Sequence, residues 1–153
     1  MNLSNIIKDK KTGDPILHDL RELRLKYELP VGRVSRFFQG LEEGKILATR
    51  CRKCGARYFP PQSWCSECGS QEVEWFEPDP HGYLSTFTVI NVKPKSFNTF
   101  KDYVVGIAEL PKDELKVLAW VMEEPSKIRV GAKVRVGVVK REDGLSYGIF
   151  PED

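Results

Sequence analysis

The chain has 153 residues, which bounds it to one large domain or two small ones. Hydrophobic residues make up 41% and charged residues 30%, the balance of an ordinary soluble globular protein with slightly high charge, and no apolar run approaches the length of a membrane span. The net charge of +2 is spread evenly: residues 1–45 carry nine Lys/Arg against seven Asp/Glu, residues 46–80 four against five, and residues 81–153 eleven against ten. With no basic arm, the composition weighs against strong non-specific binding to nucleic acid, which rests on many phosphate contacts. It leaves room for a small patch that takes a phosphorylated ligand.

Residues 1–13 are polar, with Lys8, Lys10 and Lys11 close together, and read as a mobile terminus with Ile6 and Ile7 as docking residues. From Asp14 the pattern predicts a helix. Asp14 serves as N-cap, Pro15 takes the first helical position, and Ile16, Leu20, Leu23 and Tyr27 share one face. This helix should end before Pro30. A second is predicted over Val31 to Glu43, with Val34, Phe37, Phe38 and Leu41 on one stripe and Gly44 as its stop. Each stripe must be buried, either on this chain's own body or on another protein.

A strand over Lys45 to Arg50 leads into the chain's only four cysteines, Cys51-Arg-Lys-Cys54-Gly55 and Cys65-Ser-Glu-Cys68-Gly69. Two residues between cysteines let both sulfurs of one turn reach a single ion, and the glycine permits a turn that aims backbone N–H groups at the thiolates. Two such turns supply four ligands in a tetrahedron, a closed and therefore structural site. A disulfide framework would need an oxidising compartment, and no leader of the secretory kind precedes the motif; both features point to the cytoplasm. A redox Cys-x-x-Cys suits neither the duplication nor the paired glycines. Zinc is the expected cofactor (Zn2+), with iron, which four thiolates also hold, as the alternative. A strand over Glu72 to Phe76 leaves the ribbon. Phe59, Trp64 and Trp75 either cover the metal turns or pack between the ribbon and the C-terminal half of the chain.

After Pro78-Asp-Pro80 strand signals recur at short intervals. Strands are predicted over residues 82–92, 103–110, 115–122, 133–140 and 145–150. Gly106 is a candidate bulge, and Val134, Val136 and Val138 face inward with charges and glycine outward. A tight turn at Glu142-Asp143-Gly144 joins the last two strands. Pro125 and Gly131 count against a full helix between Glu123 and Ala132. Five strands so spaced fit an OB-fold barrel better than a seven-stranded sandwich. The expected fold is thus mainly β with N-terminal helices: a helical segment over 1–45, a rubredoxin-like zinc ribbon over 46–77 and an OB-fold barrel over 78–153.

The order Phe38-x-x-Leu41-x-x-Gly44, Cys51-x-x-Cys54-Gly55, Phe59-Pro60-Pro61, Cys65-x-x-Cys68-Gly69, Glu74-Trp75 and Gly82 resembles the zinc-ribbon/OB-fold family called domain of unknown function 35 (DUF35). The resemblance spans roughly residues 31–150. It implies a non-catalytic accessory protein of thiolases and related acyl-CoA condensing enzymes, including the thiolase/HMG-CoA synthase pair, whose barrel or barrel junction holds the CoA part of an acyl-CoA. Some members lack cysteines; this chain keeps all four.

No residue set rises above background as an enzyme site: His18 sits among charged residues, His81 has no evident partner, and the cysteines are committed to metal. A ligand site is better motivated. CoA calls for cations, an aromatic platform and a narrow groove. Lys93, Lys95, Phe97, Phe100 and Lys101 lie between the first two barrel strands, where OB-folds often carry binding loops. Arg50, Lys53 and Arg57 are secondary candidates. The competing reading is a nucleic-acid-binding zinc-ribbon/OB-fold module, since both folds occur in such proteins and aromatics with lysines suit single strands.

Overall fold

The computed structural model describes residues 6–18, 28–93, 95, 101–141 and 144–152. The chain divides into two compact units, Met1–Pro30 and Val31–Asp153.

In the first unit, β1 (Ile6–Lys8) pairs antiparallel with β2 (Pro15–Leu17), Ile7 opposite Ile16. The helix expected to start at Asp14 and Pro15 is therefore corrected to a strand there. The turn explains why. Asp9 accepts N–H bonds from Lys11 (2.7 Å) and Thr12 (3.0 Å) on its carboxylate, and its own N–H reaches Asp14 O at 2.8 Å. This closes a hairpin before a helix can nucleate, and the flanking Ile residues favour extended backbone. Leu20, Leu23 and Tyr27 lie outside the described residues.

The second unit begins with a single 3₁₀ turn, Gly32–Val34, that runs into α1 (Ser35–Glu42), the one α-helix among the described residues. Phe37 and Leu41 are buried in the main core, so this stripe packs on the chain's own body. Phe38, grouped with them by periodicity, is exposed. The helix ends at Gly44, whose φ is 77°.

The ribbon is a three-stranded sheet in the order β4 (Arg57–Tyr58), β3 (Ala48–Cys51), β5 (Val73–Phe76). The strand expected from Lys45 starts three residues later, after a connection that buries Ile46. Thr49, wholly buried on β3, satisfies its hydroxyl by exchanging bonds with the Gln62 backbone: it donates to the carbonyl (3.1 Å) and accepts from the N–H (3.0 Å). This pins the loop between the cysteine pairs to the sheet. Beside it, Arg50 and Arg52 share the Glu74 carboxylate across the β3–β5 pair and hold it below the usual carboxylate range, Arg50 contributing most.

Five strands close the barrel: β6 (His81–Ile90), β7 (Tyr103–Leu110), β8 (Leu115–Val121), β9 (Lys133–Arg141) and β10 (Gly144–Pro151), in the order β10-β8-β7-β6-β9. All neighbours are antiparallel except β8 and β10, which run parallel. A 3₁₀ turn, Pro125–Lys127, occupies the connection from β8 to β9. Inward alternation is strict on β7 and β8, where Val104, Ala108, Val117 and Val121 fill the interior. The bulge lies between Leu84 and Thr86 on β6, not at Gly106. Gly106 is instead a packing glycine. A Cβ there would meet Leu84 Cδ1 and Val121 Cγ2 at 2.8 Å. Gly137, expected outward, is buried, because the Arg135 side chain and the Phe150 ring close over it. Gly144 pairs with Arg141, in keeping with a two-residue connection; Glu142 and Asp143 lie outside the described residues.

Ribbon, α1 and barrel share one core. Phe59, just past β4, stands edge-on to Phe37 of α1 (centroids 6.0 Å apart) and to Tyr147 of β10 (5.0 Å). Phe37 and Tyr147 complete the triangle at 6.0 Å. Three segments far apart in sequence thus meet through edge-to-face rings, each such pair worth about 0.5–1.5 kcal/mol beyond its buried area.

Candidate metal centre and ligand groove

Each cysteine pair is built the same way. In the first turn, Cys51 N–H donates to Ala56 O (2.8 Å) and Gly55 N–H to Cys51 O (3.0 Å). In the second, Cys65 N–H donates to Ser70 O (2.8 Å) and Gly69 N–H to Cys65 O (3.0 Å). Gly55 and Gly69 hold φ at 79° and 70°, backbone that a side chain strains. These turns bring the four sulfurs within 4.8 Å of one another, with Cys51 and Cys68 Sγ 3.7 Å apart and Cys54 and Cys65 Sγ 3.4 Å apart. Sulfurs at about 2.3 Å from a tetrahedral ion sit about 3.8 Å from each other, so the cage fits one ion and its donor set fits zinc. Cys51 and Cys65 are buried; Cys54 and Cys68 are exposed.

Backbone N–H groups face the sulfurs, as the glycine turns require. The Cys54 amide, with help from Lys53, holds the Cys51 thiol below its ordinary value. The Tyr58 hydroxyl, 3.0 Å from Cys65 Sγ, brings that thiol down to about 6. The Ala56 amide pulls Cys54 down, but the neighbouring Cys65 sulfur and partial burial prevail and push it up to about 12. A cation bound by the four sulfurs would take the place of the thiol protons.

The loop expected to bind CoA divides. Lys93 is ion-paired with Asp102 at 2.7 Å and its side chain is largely covered, so it braces the loop's base. Lys95 and Lys101 are exposed. Phe97 and Phe100 lie outside the described residues. Lys101 borders a groove of about 260 Å³ on the barrel's outer face with Tyr103, Trp120, Met122 and Glu123. There Tyr103 stacks on Trp120 (4.3 Å, 19° between planes), and Arg141 covers the other side of Trp120 at 4.0 Å. The sequence carried a signal for this platform: on β8, alternation that sends Val117, Ala119 and Val121 inward sends Leu118 and Trp120 out. Of the secondary candidates, Arg50 is taken up by Glu74, and Arg57 reaches Asp113 O and Glu114 on the β7–β8 turn, both at 3.2 Å. Lys53 is exposed beside the metal turn.

His81, without an evident partner in the sequence, has two. Its Nδ1 lies 2.9 Å from Asp79 Oδ1 and its Nε2 lies 3.7 Å from Glu152. Asp79 also accepts from Lys112 and from His81 N–H, and its own N–H donates to Asp113. This node ties the ribbon–barrel connector to the β7–β8 turn. A second groove, about 530 Å³, lies between α1 and β5 and is lined by Arg36, Glu43, Lys45, Leu47, Trp75 and Phe76 among others.

Among the described residues no helix is long and apolar enough to cross a membrane. Residues 38–74 match the family model described as the rubredoxin-like zinc ribbon domain of ChsH2, and residues 75–139 the model for the ChsH2 C-terminal OB-fold domain. A DUF35 domain-containing scaffold protein of Methanocaldococcus jannaschii is 29% identical, covering 81% of this chain and 93% of that one. One of the same description from Pyrococcus furiosus is 27% identical, covering 74% and 86%. Among solved structures, the Ltp2-ChsH2(DUF35) aldolase chain matches with a TM-score of 0.65 at 22% identity, over 76% of this chain and 92% of that one. A DUF35 protein of unknown function from Sulfolobus solfataricus matches with a TM-score of 0.56 at 22% identity, over 79% and 86%. With ribbon, barrel and their order all matched, the chain belongs to the DUF35 family of zinc-ribbon/OB-fold proteins.

Proposed function

We propose that this protein is a non-catalytic scaffold subunit that holds the CoA end of an acyl-CoA for a thiolase-type or HMG-CoA synthase-type condensing enzyme in the cytoplasm. Zinc in the Cys51, Cys54, Cys65 and Cys68 cage holds the two cysteine turns of the ribbon together. The scaffold part of this reading is supported by the relatives described as scaffold proteins and by the fold shared with the DUF35 chain of the Ltp2-ChsH2 aldolase. The non-catalytic part is supported by the same relatives, each described as a scaffold protein.

The ligand part is carried by one observation: an aromatic groove with Lys101 at its edge, beside the loop between the first two barrel strands. Lys101, with Lys95 from the same loop, supplies charge to the phosphates, and Tyr103, backed by Trp120, supplies a flat wall for the adenine or the pantetheine arm. Calorimetry with CoA tests it. Replacing Lys95 and Lys101 together by alanine removes two charge-assisted contacts, so binding should weaken at least tenfold and lose part of its salt dependence. Binding equal to that of the parent protein would move the phosphate site away from this loop. Binding of single-stranded nucleic acid in preference to CoA would favour the module reading instead.

A further inference from the structure

The two cysteine turns repeat each other in backbone, but their hydrogen-bond donors to sulfur differ. In the first turn, Cys51 takes the amides of Cys54 and Lys53. Cys65 is its counterpart in the second turn. Cys65 takes the amide of Cys68, as expected, and in addition meets the phenol of Tyr58. Tyr58 Oη in turn lies 3.0 Å from Cys65 Sγ, and Ser66 Oγ donates to that oxygen at 3.4 Å. A phenol thus stands between the Ser66 hydroxyl and the buried Cys65 sulfur.

We infer that the Tyr58 hydroxyl is a positioning group of the metal centre, relaying the Ser66 donor to the buried Cys65 sulfur and thereby tuning how tightly the ion is held. This rests on the assignment of the four-cysteine cage as a metal site. A metal-bound cysteine is a thiolate with no proton of its own, so in the loaded site the phenol is the donor and the sulfur the acceptor. Four thiolates around a divalent ion carry a net double negative charge. Donors at the sulfurs spread that charge, which favours keeping the ion. Cys65 is fully buried, without water as a substitute donor, so the loss of the phenol leaves its sulfur short of a partner. Tyr58 is placed by the sheet: it is the residue of β4 opposite Thr49 of β3, whose hydroxyl is locked to the Gln62 backbone. The edge strand of the ribbon therefore has a task beyond pairing.

The test uses cobalt(II) in place of the native ion, because its absorption reports the sulfur ligands directly. The parent protein should bind one equivalent with the spectrum of a tetrahedral four-thiolate site; any other spectrum overturns the metal assignment and this inference with it. Tyr58→Phe removes only the hydroxyl. Its sulfur-to-cobalt charge-transfer band should move to lower energy, because the sulfur lone pair is no longer stabilised, and a chelator should strip the ion about ten times faster. A merely structural tyrosine would leave the band in place. An unchanged band with an unchanged stripping rate would overturn the inference while leaving the metal assignment intact. Should Tyr58→Phe fail to fold, the parent protein loaded with cadmium-113 decides. Coupling between the metal and the Tyr58 hydroxyl proton supports the relay; coupling to the Cys54 amide proton without it overturns the relay.

Discussion

Phe59→Ala is the change that most directly tests how the ribbon is held to the rest of the molecule. Phe59 is half-buried and meets two rings edge-on, Phe37 of α1 at 6.0 Å and Tyr147 of β10 at 5.0 Å. Truncating a fully buried Phe costs about 3–5 kcal/mol. Partial exposure brings the expectation here to about 2–3 kcal/mol, of which the two ring pairs supply roughly half, at about 0.5–1.5 kcal/mol each. For a unit of this size that lowers the melting temperature by roughly 5–10 °C. Urea unfolding of the metal-loaded protein measures the loss, and a cycle with Tyr147→Ala isolates the pair. A coupling energy near 1 kcal/mol is expected. The metal content should stay as it was, since the four sulfurs are positioned by the two cysteine turns. A total loss under about 1 kcal/mol, or zero coupling, would refute the claim that these rings join ribbon and barrel.

Gly82→Ala should abolish folding or cost more than about 3 kcal/mol, because its Cβ would fall 1.8 Å from Glu109 O, a backbone atom that cannot move without breaking the β6–β7 pairing; circular dichroism and yield read this out. The Asp79 carboxyl is held well below its usual value, chiefly by Lys112 and then by the His81 N–H and ring. A depressed folded pKa adds stability that is present above the unfolded value, about 3.9, and is lost as the pH falls below it. Asp79→Asn should therefore lower stability at neutral pH and flatten the acid limb of a stability–pH curve. Metal analysis should find one zinc per chain, and Cys65→Ser should remove it together with the ribbon's protection from proteolysis; zinc retained at full occupancy in that variant would break the assignment.

The barrel was legible because its rule is local. Alternation on β7 and β8 has period two, and the strand expected over residues 103–110 is the one observed. The cage was legible because Cys-x-x-Cys-Gly encodes its own turn. What failed was of two kinds. Around Asp14 a helical stripe and a hairpin both fit the apolar residues, and the hairpin prevailed through the Asp9 side chain, a turn signal five residues upstream. Gly106 reads as a bulge from one strand alone; its true role, room for Leu84 and Val121, depends on two other strands. Tyr58, the Asp79 node and the Arg141–Trp120–Tyr103 stack were hidden for the same reason. Each joins residues from separate segments of the fold, apart from the local Asp79–His81 pair. The Lys93 to Lys101 loop shows the limit at a site: charge was readable, but not that Asp102 would claim Lys93.

Affinity purification of the tagged protein from its native host tests the scaffold claim most directly. An acyl-CoA condensing enzyme of the thiolase or HMG-CoA synthase type should co-purify in near-stoichiometric amount and stay bound through a sizing column. Recovery of the tagged chain with no such enzyme, or with nucleic acid in its place, would contradict the account.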